Sequence, residues 1–519
     1  MIKVGIDVGG TNTDAAILDG DRVLAAFKAP TSGDVSTGIV EALRGVLAQS
    51  GLPIGDIGSL VIGTTHFTNA FVQARELSPV AVIRIGAPAT MALPPLCGWP
   101  ARLADCIGGF RRIVGGGHEF DGRRIAPLDE AALVQAARDI RAAGLTSAAV
   151  TSVFSPVDSS CEERAAEILR SENPDLRITL SSAIGRVGLL ERENAAVMNA
   201  SLAGLSAKVV ASFRTALREL GLTAPFFVSQ NDGTVLAADA VARFPVLTFA
   251  SGPTNSMRGA AFLSKLQDAI VLDIGGTTSD VGIIANGYPR ESSVAVDIGG
   301  VRTNFRMPDI LSVGLGGGSI VRDGAELTIG PDSVGYRLLS EALVFGGATL
   351  TTSDIATASG VAEIGERQRV AHLSADLLER ATDRMHFMLE EAIDRMKISA
   401  DPVPVVLVGG GAVLVSRKLK GASELIVPEH SGVANAVGAA IAQVGGEVDQ
   451  IMLYEGRGRD NALQSATELA RKRAVEAGAA LETLQTVEVE EVPLAYVPGG
   501  AVRVRVKVVG DFAAGRTAG

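Results

Sequence analysis

The sequence predicts an α/β fold in which two related lobes are followed by a small C-terminal module. Apolar runs rich in Val and Ile alternate with helical patterns along the chain, as in α/β proteins. The segment IDVGGTNTDAAI at 6–17 returns as LDIGGTTSDVGI at 272–283, with six of twelve residues identical and an offset of 266. This offset is too long for a solenoid repeat and suits a duplicated domain. With 519 residues, 47% of them hydrophobic, the chain is long enough to bury more than one core.

The individual elements follow from the local patterns. Strands are expected at 2–6, 60–62, 80–85, 148–154, 225–228 and 270–272, and helices at 34–50, 129–143, 161–172, 187–219 and 375–398. Further along, VVLVGGGAVLV at 405–415 predicts a strand and a turn, 460–480 a helix, and 484–508 strands around a turn at 498–500. We therefore expect an N-terminal lobe at 1–195, a second lobe at 196–450 and an αββ module at 451–519, with a loose tail from 512.

Composition limits the partners and the compartment. The chain has 58 acidic and 47 basic residues, and its net charge of −11 argues against a nucleic-acid partner. The longest apolar run, 403–415, is too short to span a bilayer, and the first ten residues lack the pattern of a secretory leader. The three cysteines have no CxxC spacing. We expect a cytoplasmic protein that contacts neither membrane nor nucleic acid.

Each copy of the repeat predicts a β-hairpin with an aspartate at the end of its first strand and a Gly-Gly turn after it. Backbone N–H groups of such turns can bind the phosphates of ATP, and carboxylates can position the divalent ion that offsets their charge. We expect Asp7 and Asp273 to organise Mg²⁺ and, with Thr11 and Thr277, to form the catalytic set. The predicted phosphate-binding residues are Gly9, Gly10, Thr11, Asn12 and Thr13 in the first copy, and Gly275, Gly276, Thr277 and Thr278 in the second. A third run, Gly409, Gly410 and Gly411, is expected to accept the adenosine or the α-phosphate.

A single Asp-x-Gly-Gly-Thr segment is as consistent with a tight hairpin turn as with a nucleotide site. Two copies and the late triple glycine favour nucleotide binding. The similar segment VDIGG at 296–300 lacks the following Thr and is interpreted as a structural turn. The chain has neither a Walker A sequence nor a GxGxxG motif at a strand-to-helix junction, which argues against the P-loop and Rossmann classes.

The spacing of these motifs resembles that of the actin, sugar kinase and heat-shock ATPase superfamily. A series of seven segments in order is similar to the hydantoinase A, 5-oxoprolinase and acetone carboxylase β family. These segments are GIDVGGTNTD (5–14), IGTTHFTNAF (62–71), RENAAVMNASL (192–202), FVSQNDGTVL (227–236), ASGPTNSMRGA (250–260), VLDIGGTTSDVGII (271–284) and SVGLGGGSI (312–320). The resemblance implies duplicated actin/hexokinase-like (ribonuclease H-like) ATPase lobes around a nucleotide cleft. It also implies ATP-dependent ring opening of a cyclic amide such as a hydantoin or 5-oxoproline, usually with a separate hydantoinase B-type subunit.

The matched segments supply secondary candidates. Thr64, Thr65 and Asn69 could contact phosphate or substrate, or could cap a helix. The loop of Ser251, Gly252 and Pro253 could line the cleft or begin a helix, and His66, Glu191 and Arg192 are further candidates. His118 and Glu119 are interpreted as part of a surface turn.

The chain also departs from the family pattern. Leu311 stands where longer members carry a histidine, and SSAIGRVG at 181–188 replaces their Ser-His-Glu stretch. These departures leave open whether a transition metal binds.

Three functions remain open at this level. The first is an ATP-dependent amidohydrolase subunit, the second a small-molecule kinase, and the third an ATPase or activating subunit of a carboxylase-type complex. The small-molecule substrate depends on loops around 86–125 and 300–345, which the sequence cannot resolve. The need for a B-type subunit and the formation of a homo-oligomer are open as well.

Overall fold

The protein is described by a computed structural model that covers residues 1–9, 12–30, 35–292, 295–324, 326–456, 458–495 and 499–513. The strands are β1 (Ile2–Val8), β2 (Asn12–Asp19), β3 (Arg22–Pro30), β4 (Ile57–Thr64), β5 (Ala81–Ala87), β6 (Phe110–Gly115), β7 (Ser147–Ser152), β8 (Arg177–Leu180), β9 (Phe226–Ser229), β10 (Thr234–Ala237), β11 (Ala269–Ile274), β12 (Ser279–Ala285), β13 (Tyr288–Pro289), β14 (Val296–Ile298), β15 (Val301–Thr303), β16 (Ile310–Val313), β17 (Ser319–Asp323), β18 (Leu327–Ser333), β19 (Val403–Val408), β20 (Ala422–Ile426), β21 (Gln443–Leu453), β22 (Gln485–Pro493) and β23 (Ala501–Gly510). The helices are α1 (Val35–Ser50), α2 (His66–Val72), α3 (Ala101–Ile107), α4 (Glu130–Ala142), α5 (Ser160–Glu172), α6 (Leu189–Glu219), α7 (Ala238–Arg243), α8 (Ser251–Ser264), α9 (Leu338–Glu341), α10 (Thr352–Ala358), α11 (Ala375–Met396), α12 (Ala434–Ala440) and α13 (Arg459–Glu476).

Two large sheets contain the two copies of the repeat. The first has the order β22-β23-β21-β10-β9-β4-β1-β2-β3, and the second the order β13-β12-β11-β19-β20. In the first sheet β1 pairs antiparallel with β2 and parallel with β4, while in the second β11 pairs antiparallel with β12 and parallel with β19. The register also agrees, since Asp7 lies opposite Asp14 and Asp273 lies opposite Asp280. The predicted α/β fold is confirmed, and both repeats form the same three-stranded arrangement.

A third sheet, which is parallel and has the order β6-β5-β7-β8, lies between residues 81 and 180. The predicted strands and helices of this region lie within a few residues of the observed ones. The VDIGG segment forms the hairpin β14–β15, as expected for a structural turn. Gly299 and Gly300 adopt φ of 62° and 85°, and the Asp297 carboxylate accepts a hydrogen bond from the Gly300 N–H at 2.8 Å.

The C-terminal segment contains a helix followed by two strands, in the predicted order. Its strands extend the first sheet, because β23 pairs with β21 and β21 pairs with β10. The helix α13 covers this part of the sheet with fully buried alanines four residues apart, at Ala462, Ala466, Ala470 and Ala474. Strands from 226–237 and 443–510 thus belong to the same sheet as β1. The expected lobe boundaries at 195 and 450 stay predictions. Residues 514–519 of the expected tail lie outside the described residues.

Helices α8 and α12 pack closely against each other, at a crossing lined by glycine. A Cβ atom at Gly259 would overlap the carbonyl of Ala434, and one at Gly438 would overlap the carbonyl of Asn255. Gly5 in β1 likewise leaves room for the carbonyl of Ala436. Because these overlaps are with backbone atoms, the helices can approach this closely only where side chains are missing.

One helix in the described part of the chain, α6, is long and apolar enough by composition to cross a membrane. Its most apolar window has a mean hydropathy of 1.3, and 67% of that window is buried inside the protein. The buried face packs against strands of the third sheet and against α7. Core packing therefore accounts for the apolar character of this helix.

Candidate functional site

The two hairpins, β1–β2 and β11–β12, face a common cavity of about 390 Å³. We call it the inter-lobe cavity, since both repeats contribute to its wall. The predicted site residues that line it are Asp7, Gly9, Asn12, Asp273, Gly275, Gly276, Thr277, Thr278, Gly409, Gly410 and Gly411. Segments separated by more than 400 residues in the sequence therefore meet at one site.

One predicted residue that the structure describes, Thr13, is not part of this lining. Thr13 lies between Asn12 and Asp14 on β2, and its side chain is fully buried on the opposite face, away from the cavity. The reason is the two-residue period of a strand, which sends Asn12 and Asp14 to the cavity and Thr13 into the core. Gly10 and Thr11 lie outside the described residues.

Four carboxylates lie on the floor of the cavity as two cross-strand pairs, Asp7 with Asp14 and Asp273 with Asp280. Asp7 and Asp14 are each only 4% exposed. Lys28 Nζ lies 2.8 Å from Asp14 Oδ1, and the Ser312 hydroxyl donates to Asp280 Oδ1 at 2.5 Å. The second aspartate of each pair thus has a partner on a neighbouring strand.

The first aspartates of the pairs hold protons more tightly than ordinary carboxyls. Burial, followed by the charge of Asp14, raises the pKa of Asp7 from 3.8 to about 6. Burial is also the main cause that raises the pKa of Asp273 to about 7, and the charges of Asp280, Asp7 and Asp14 raise it further. Bringing several carboxylates together out of water disfavours their charged forms, and a bound cation would reverse this effect.

The donor set fits magnesium better than a transition metal. Mg²⁺ usually binds through one or two carboxylates together with phosphate oxygens and water, and Asp7 and Asp273 supply such carboxylates. Among the residues that the structure describes, no group of three His, Cys, Asp or Glu side chains is placed to hold a metal ion.

Two consecutive residues on α8 hold the carboxylates of opposite lobes. Asn255 Nδ2 donates to Asp7 Oδ1 at 3.3 Å, and the Ser256 hydroxyl donates to Asp273 Oδ2 at 2.5 Å. From α12, Asn435 Nδ2 donates to Asp7 Oδ2 at 3.0 Å. We did not predict these three residues, although Asn255 and Ser256 lie in the matched segment at 250–260. The sequence around Asn435 carries no comparable signal.

Glycines make room for the two carboxylates in a symmetric way. Gly63 lies in β4 beside Asp7, and Gly409 directly follows β19 beside Asp273. A Cβ at Gly63 would overlap Asp7 Oδ1, and a Cβ at Gly409 would overlap Asp273 Oδ1. Gly409 also has φ of 84°, which favours glycine independently. The duplicated fold therefore repeats the setting of each aspartate as well as its strand.

The glycine run at 316–318 supports the second hairpin from behind. The N–H of Gly317 donates to the carbonyl of Gly275 at 3.0 Å, and the N–H of Gly318 donates to that of Gly276 at 2.7 Å. A Cβ at Gly316 would lie 2.6 Å from the backbone nitrogen of Thr277. This run fixes the Gly-Gly turn, and only Gly317 of the three lines the cavity.

The GTT and SGP segments are joined next to the first hairpin. The Thr64 N–H donates to Ser251 Oγ at 3.2 Å, and the Ser251 hydroxyl donates to the Thr64 carbonyl at 3.1 Å. Thr65, Gly252 and Pro253 line the cavity. The Thr64 hydroxyl instead accepts from the His66 N–H at 3.2 Å in the turn that leads into α2, and Thr65, the N-cap residue, makes no side-chain capping bond.

Other secondary candidates lie elsewhere. The side chain of Arg192 is buried away from the cavity, where its guanidinium donates to the Ser152 carbonyl at 2.6 Å and to Ser181 Oγ at 3.0 Å. Glu191 pairs with Arg302 at 3.4 Å, outside the cavity lining. Arg192 therefore ties α6 to the third sheet, and neither of these two candidates lines the inter-lobe cavity.

Two histidines and one asparagine that the sequence analysis singled out also lie outside the cavity lining. His118 was expected in a surface turn but is 1% exposed, with Nε2 lying 3.6 Å from Asp158 Oδ2. His66 and Asn69 belong to α2 and do not line the cavity, although Asn69 Nδ2 donates to Thr65 Oγ1 at 3.4 Å. The loop after β6 folds inward over the end of the third sheet, since the His118 N–H donates to the carbonyl of Val153.

The fold and the site define an α/β protein in which two related hairpins, each with an aspartate at the end of its first strand, line one cavity. Two family models match the chain, the hydantoinase/oxoprolinase N-terminal region over residues 3–173 and hydantoinase/oxoprolinase over residues 192–363. Together they cover about two-thirds of its length. The chain belongs to the hydantoinase/oxoprolinase family.

Individual relatives share between a quarter and a third of their residues with this chain over the matched regions. The chain is 26% identical over 394 residues to the caprolactamase subunit alpha of Pseudomonas jessenii, covering 69% of this chain and 54% of the relative. It is 28% identical over 392 residues to the acetophenone carboxylase gamma subunit of Aromatoleum aromaticum, covering 68% and 52%. The chain thus matches about half the length of these curated relatives.

Two solved structures share the fold. The ATP-dependent caprolactamase from Pseudomonas jessenii superposes with a TM-score of 0.81 at 20% identity, over 98% of this chain and 88% of that one. A nucleotide-free acetone carboxylase superposes with a TM-score of 0.69 at 20% identity, over 99% and 88%. At this level of identity the comparison establishes a common architecture.

Proposed function

We propose that this chain is the ATP-binding, A-type subunit of an enzyme that activates the carbonyl of a small cyclic amide for ring opening. The observation that carries the proposal is the meeting of two duplicated hairpins, with Asp7 and Gly9 in the first and Asp273, Gly275 and Gly276 in the second, and a third glycine loop at one cavity. A hydantoin or 5-oxoproline ring is the expected class of substrate. The similarity to a caprolactamase subunit supports a cyclic amide, since a caprolactam is one.

The cavity offers different surroundings to the two ends of ATP. Bare backbone and hydroxyls at Gly275, Gly276, Thr277 and Thr278 suit phosphates. The lining also includes apolar side chains, which suit the adenine ring. Val413 and Leu414 closely follow the third glycine loop, and Leu338 and Ile364 line the same cavity. We therefore expect the adenosine on the side of the 409–411 loop and the terminal phosphate between the hairpins.

Asp7 and Asp273 would hold Mg²⁺ beside the phosphates. The ion, when bound, offsets charge on the phosphate oxygens. The residues of this chain then position the reactants, with Asn255, Asn435 and Ser256 fixing the orientation of both carboxylates. This arrangement makes the two carboxylates dependent on α8 and α12.

The proposed chemistry overcomes the poor reactivity of a ring amide. The amide oxygen attacks the γ-phosphorus of ATP, and the bond from that phosphorus to the departing ADP oxygen breaks. Water then adds to the activated carbon, and the ring C–N bond breaks, with the nitrogen taking a proton, to give an open-chain acyl phosphate. A second water hydrolyses the acyl phosphate to a carboxylate and inorganic phosphate. Product analysis separates this reaction from that of a kinase, because a kinase would release ADP and a stable phosphorylated substrate.

A carboxylase-type reaction is the second candidate, and the similarity to carboxylase subunits favours it specifically. It shares the activation of a carbonyl oxygen but would start from a ketone. The measurement is ATP turnover of the chain with a panel of cyclic amides, and with ketones in the presence of bicarbonate. Turnover restored only by a second protein would establish a B-type partner. Turnover that is stimulated by ketones with bicarbonate but by none of the cyclic amides would contradict the amidohydrolase proposal.

Replacement of Gly410 by alanine tests whether the third glycine loop contacts the nucleotide. No protein atom lies within 4 Å of a Cβ at this position, and the backbone does not have positive φ. The substitution should leave the melting temperature unchanged but place a methyl group where the ligand binds. We expect Gly410→Ala to weaken ATP binding by about tenfold, or about 1.4 kcal/mol, in titration calorimetry.

The matched control is Gly55→Ala, where a Cβ also has no neighbour within 4 Å but the residue lies outside the cavity. Equal ATP affinity in both variants and in the wild type would mean that the 409–411 loop does not contact the nucleotide.

A further inference from the structure

The inter-lobe cavity has an unusual charge balance for a phosphate site. Its described lining contains four aspartates and a single basic side chain, Lys28. ATP carries its largest charge on the terminal phosphate, so four carboxylates without a compensating cation would repel it. Within the described lining, Lys28 is the side chain whose charge can attract a phosphate.

Lys28 is anchored at the first hairpin and open to the cavity. It lies on β3 directly opposite Asp14 on β2, and its Nζ is 2.8 Å from Asp14 Oδ1. The Asp14 side chain is 6% exposed, whereas that of Lys28 is 38% exposed. A lysine ammonium has three N–H donors, so the bond to Asp14 leaves donors for a second partner.

We propose that Lys28 binds the terminal phosphate of ATP while Asp14 holds its ammonium in place. The inference rests on the proposed function, because it assumes ATP in this cavity. Lys28 on β3, Asp14 on β2 and Asp7 on β1 lie side by side across the first sheet, so Lys28 adjoins the carboxylates beside which we expect the terminal phosphate. Lys28 thus binds the γ-phosphate, and this contact favours ATP over ADP.

The test compares the affinities of wild type and Lys28→Gln for ATP and for ADP, each measured with Mg²⁺ by titration calorimetry. We expect Lys28→Gln to weaken ATP binding by about 10- to 100-fold, the effect of losing one charge-assisted hydrogen bond. ADP binding should change by less than about threefold, since ADP lacks the γ-phosphate. The control is Lys472→Gln, which removes an exposed lysine on α13.

A purely structural role for Lys28 gives a different result. If the ion pair only neutralises buried Asp14, Lys28→Gln lowers the melting temperature and weakens ATP and ADP equally, which would overturn the proposal. Should Lys28→Gln fail to fold because Asp14 is left unpaired, the double variant Asp14→Asn/Lys28→Gln removes both charges, and the ATP-to-ADP ratio is measured there. A wild-type chain that binds neither nucleotide would overturn the proposed function itself, and the inference with it.

Discussion

Replacement of Asp7 by asparagine should abolish ATP turnover while leaving the ligand-free protein as stable as the wild type, or more stable, at neutral pH. The loss of turnover follows from the removal of a carboxylate that organises Mg²⁺, and we expect at least about a 100-fold decrease. Asp273→Asn should have a similar effect on turnover. Retention of turnover in both variants would disprove the assignment of the site.

The stability of the Asp7 variant follows from the raised pKa of this carboxyl. Its pKa is about 6 in the native protein against an ordinary value of 3.8. Between these values the native protein binds a proton that the unfolded chain does not, so stability falls as the pH rises through this window. The loss is complete above the native pKa and amounts to about 3 kcal/mol.

Asparagine removes this dependence. The amide would also find an acceptor at position 255, because Asn255 Oδ1 has no hydrogen-bond partner among the described residues and the side-chain amide can rotate. The measurement is urea unfolding of the ligand-free protein at pH 5 and at pH 8, for wild type and Asp7→Asn. The control is Asp105→Asn, which alters an exposed aspartate outside the cavity. If the Asp7→Asn variant is less stable than the wild type at pH 8, the buried charge of Asp7 does not destabilise the native protein as we infer.

Replacement of Gly438 by alanine should destabilise the protein by about 3 kcal/mol and reduce ATP turnover together with stability. Within a helix, alanine is normally favoured over glycine by up to about 1 kcal/mol, so the expected sign is opposite to helix propensity. The reason is the overlap of a Cβ at this position with the carbonyl of Asn255, which forces α8 and α12 apart. Because α8 holds Asp7 and Asp273 through adjacent residues, its displacement should disturb both carboxylates.

The measurements for this variant are the midpoint of its urea unfolding curve and its rate of ATP turnover without urea. Gly204→Ala in α6 is the matched control, since its Cβ would meet the end of the Ser78 side chain at 3.1 Å and no backbone atom within 4 Å. We expect that control to be neutral or slightly stabilising. Equal midpoints for Gly438→Ala and the wild type would show that the helices can separate without cost.

Much of the fold could be predicted from local patterns. The hairpins around Asp7 and Asp273, the long helices α6 and α11, and the αββ order of the C-terminal segment all lie close to their expected positions. Hydrophobic periodicity and Gly-Gly turns act over a few residues, so a sequence displays them directly. The extension of the first sheet by β21 and β23 was not predicted, because strand pairing across hundreds of residues leaves no local pattern.

The residues of the candidate site likewise fall into those that local sequence patterns predicted and those that they did not. Sequence repetition located the aspartates and glycines of both hairpins, since each hairpin is a local structure. The candidates Glu191 and Arg192 do not line the inter-lobe cavity. The sequence did not reveal this, because charged residues at a helix start look the same whether they face a cleft or tie a helix to a sheet. Thr13 was assigned to the site by its place in the motif, but the strand period turns it into the core.

The sequence alone thus determined the duplication, the two hairpins and the chemical types of their site residues. Tertiary structure decided which other residues meet them. Asn255 reaches Asp7 across 248 positions, and Asn435 reaches it across 428. These contacts exist because α8 and α12 pack backbone to backbone at Gly259 and Gly438, and such close packing depends on the surface of both partners at once.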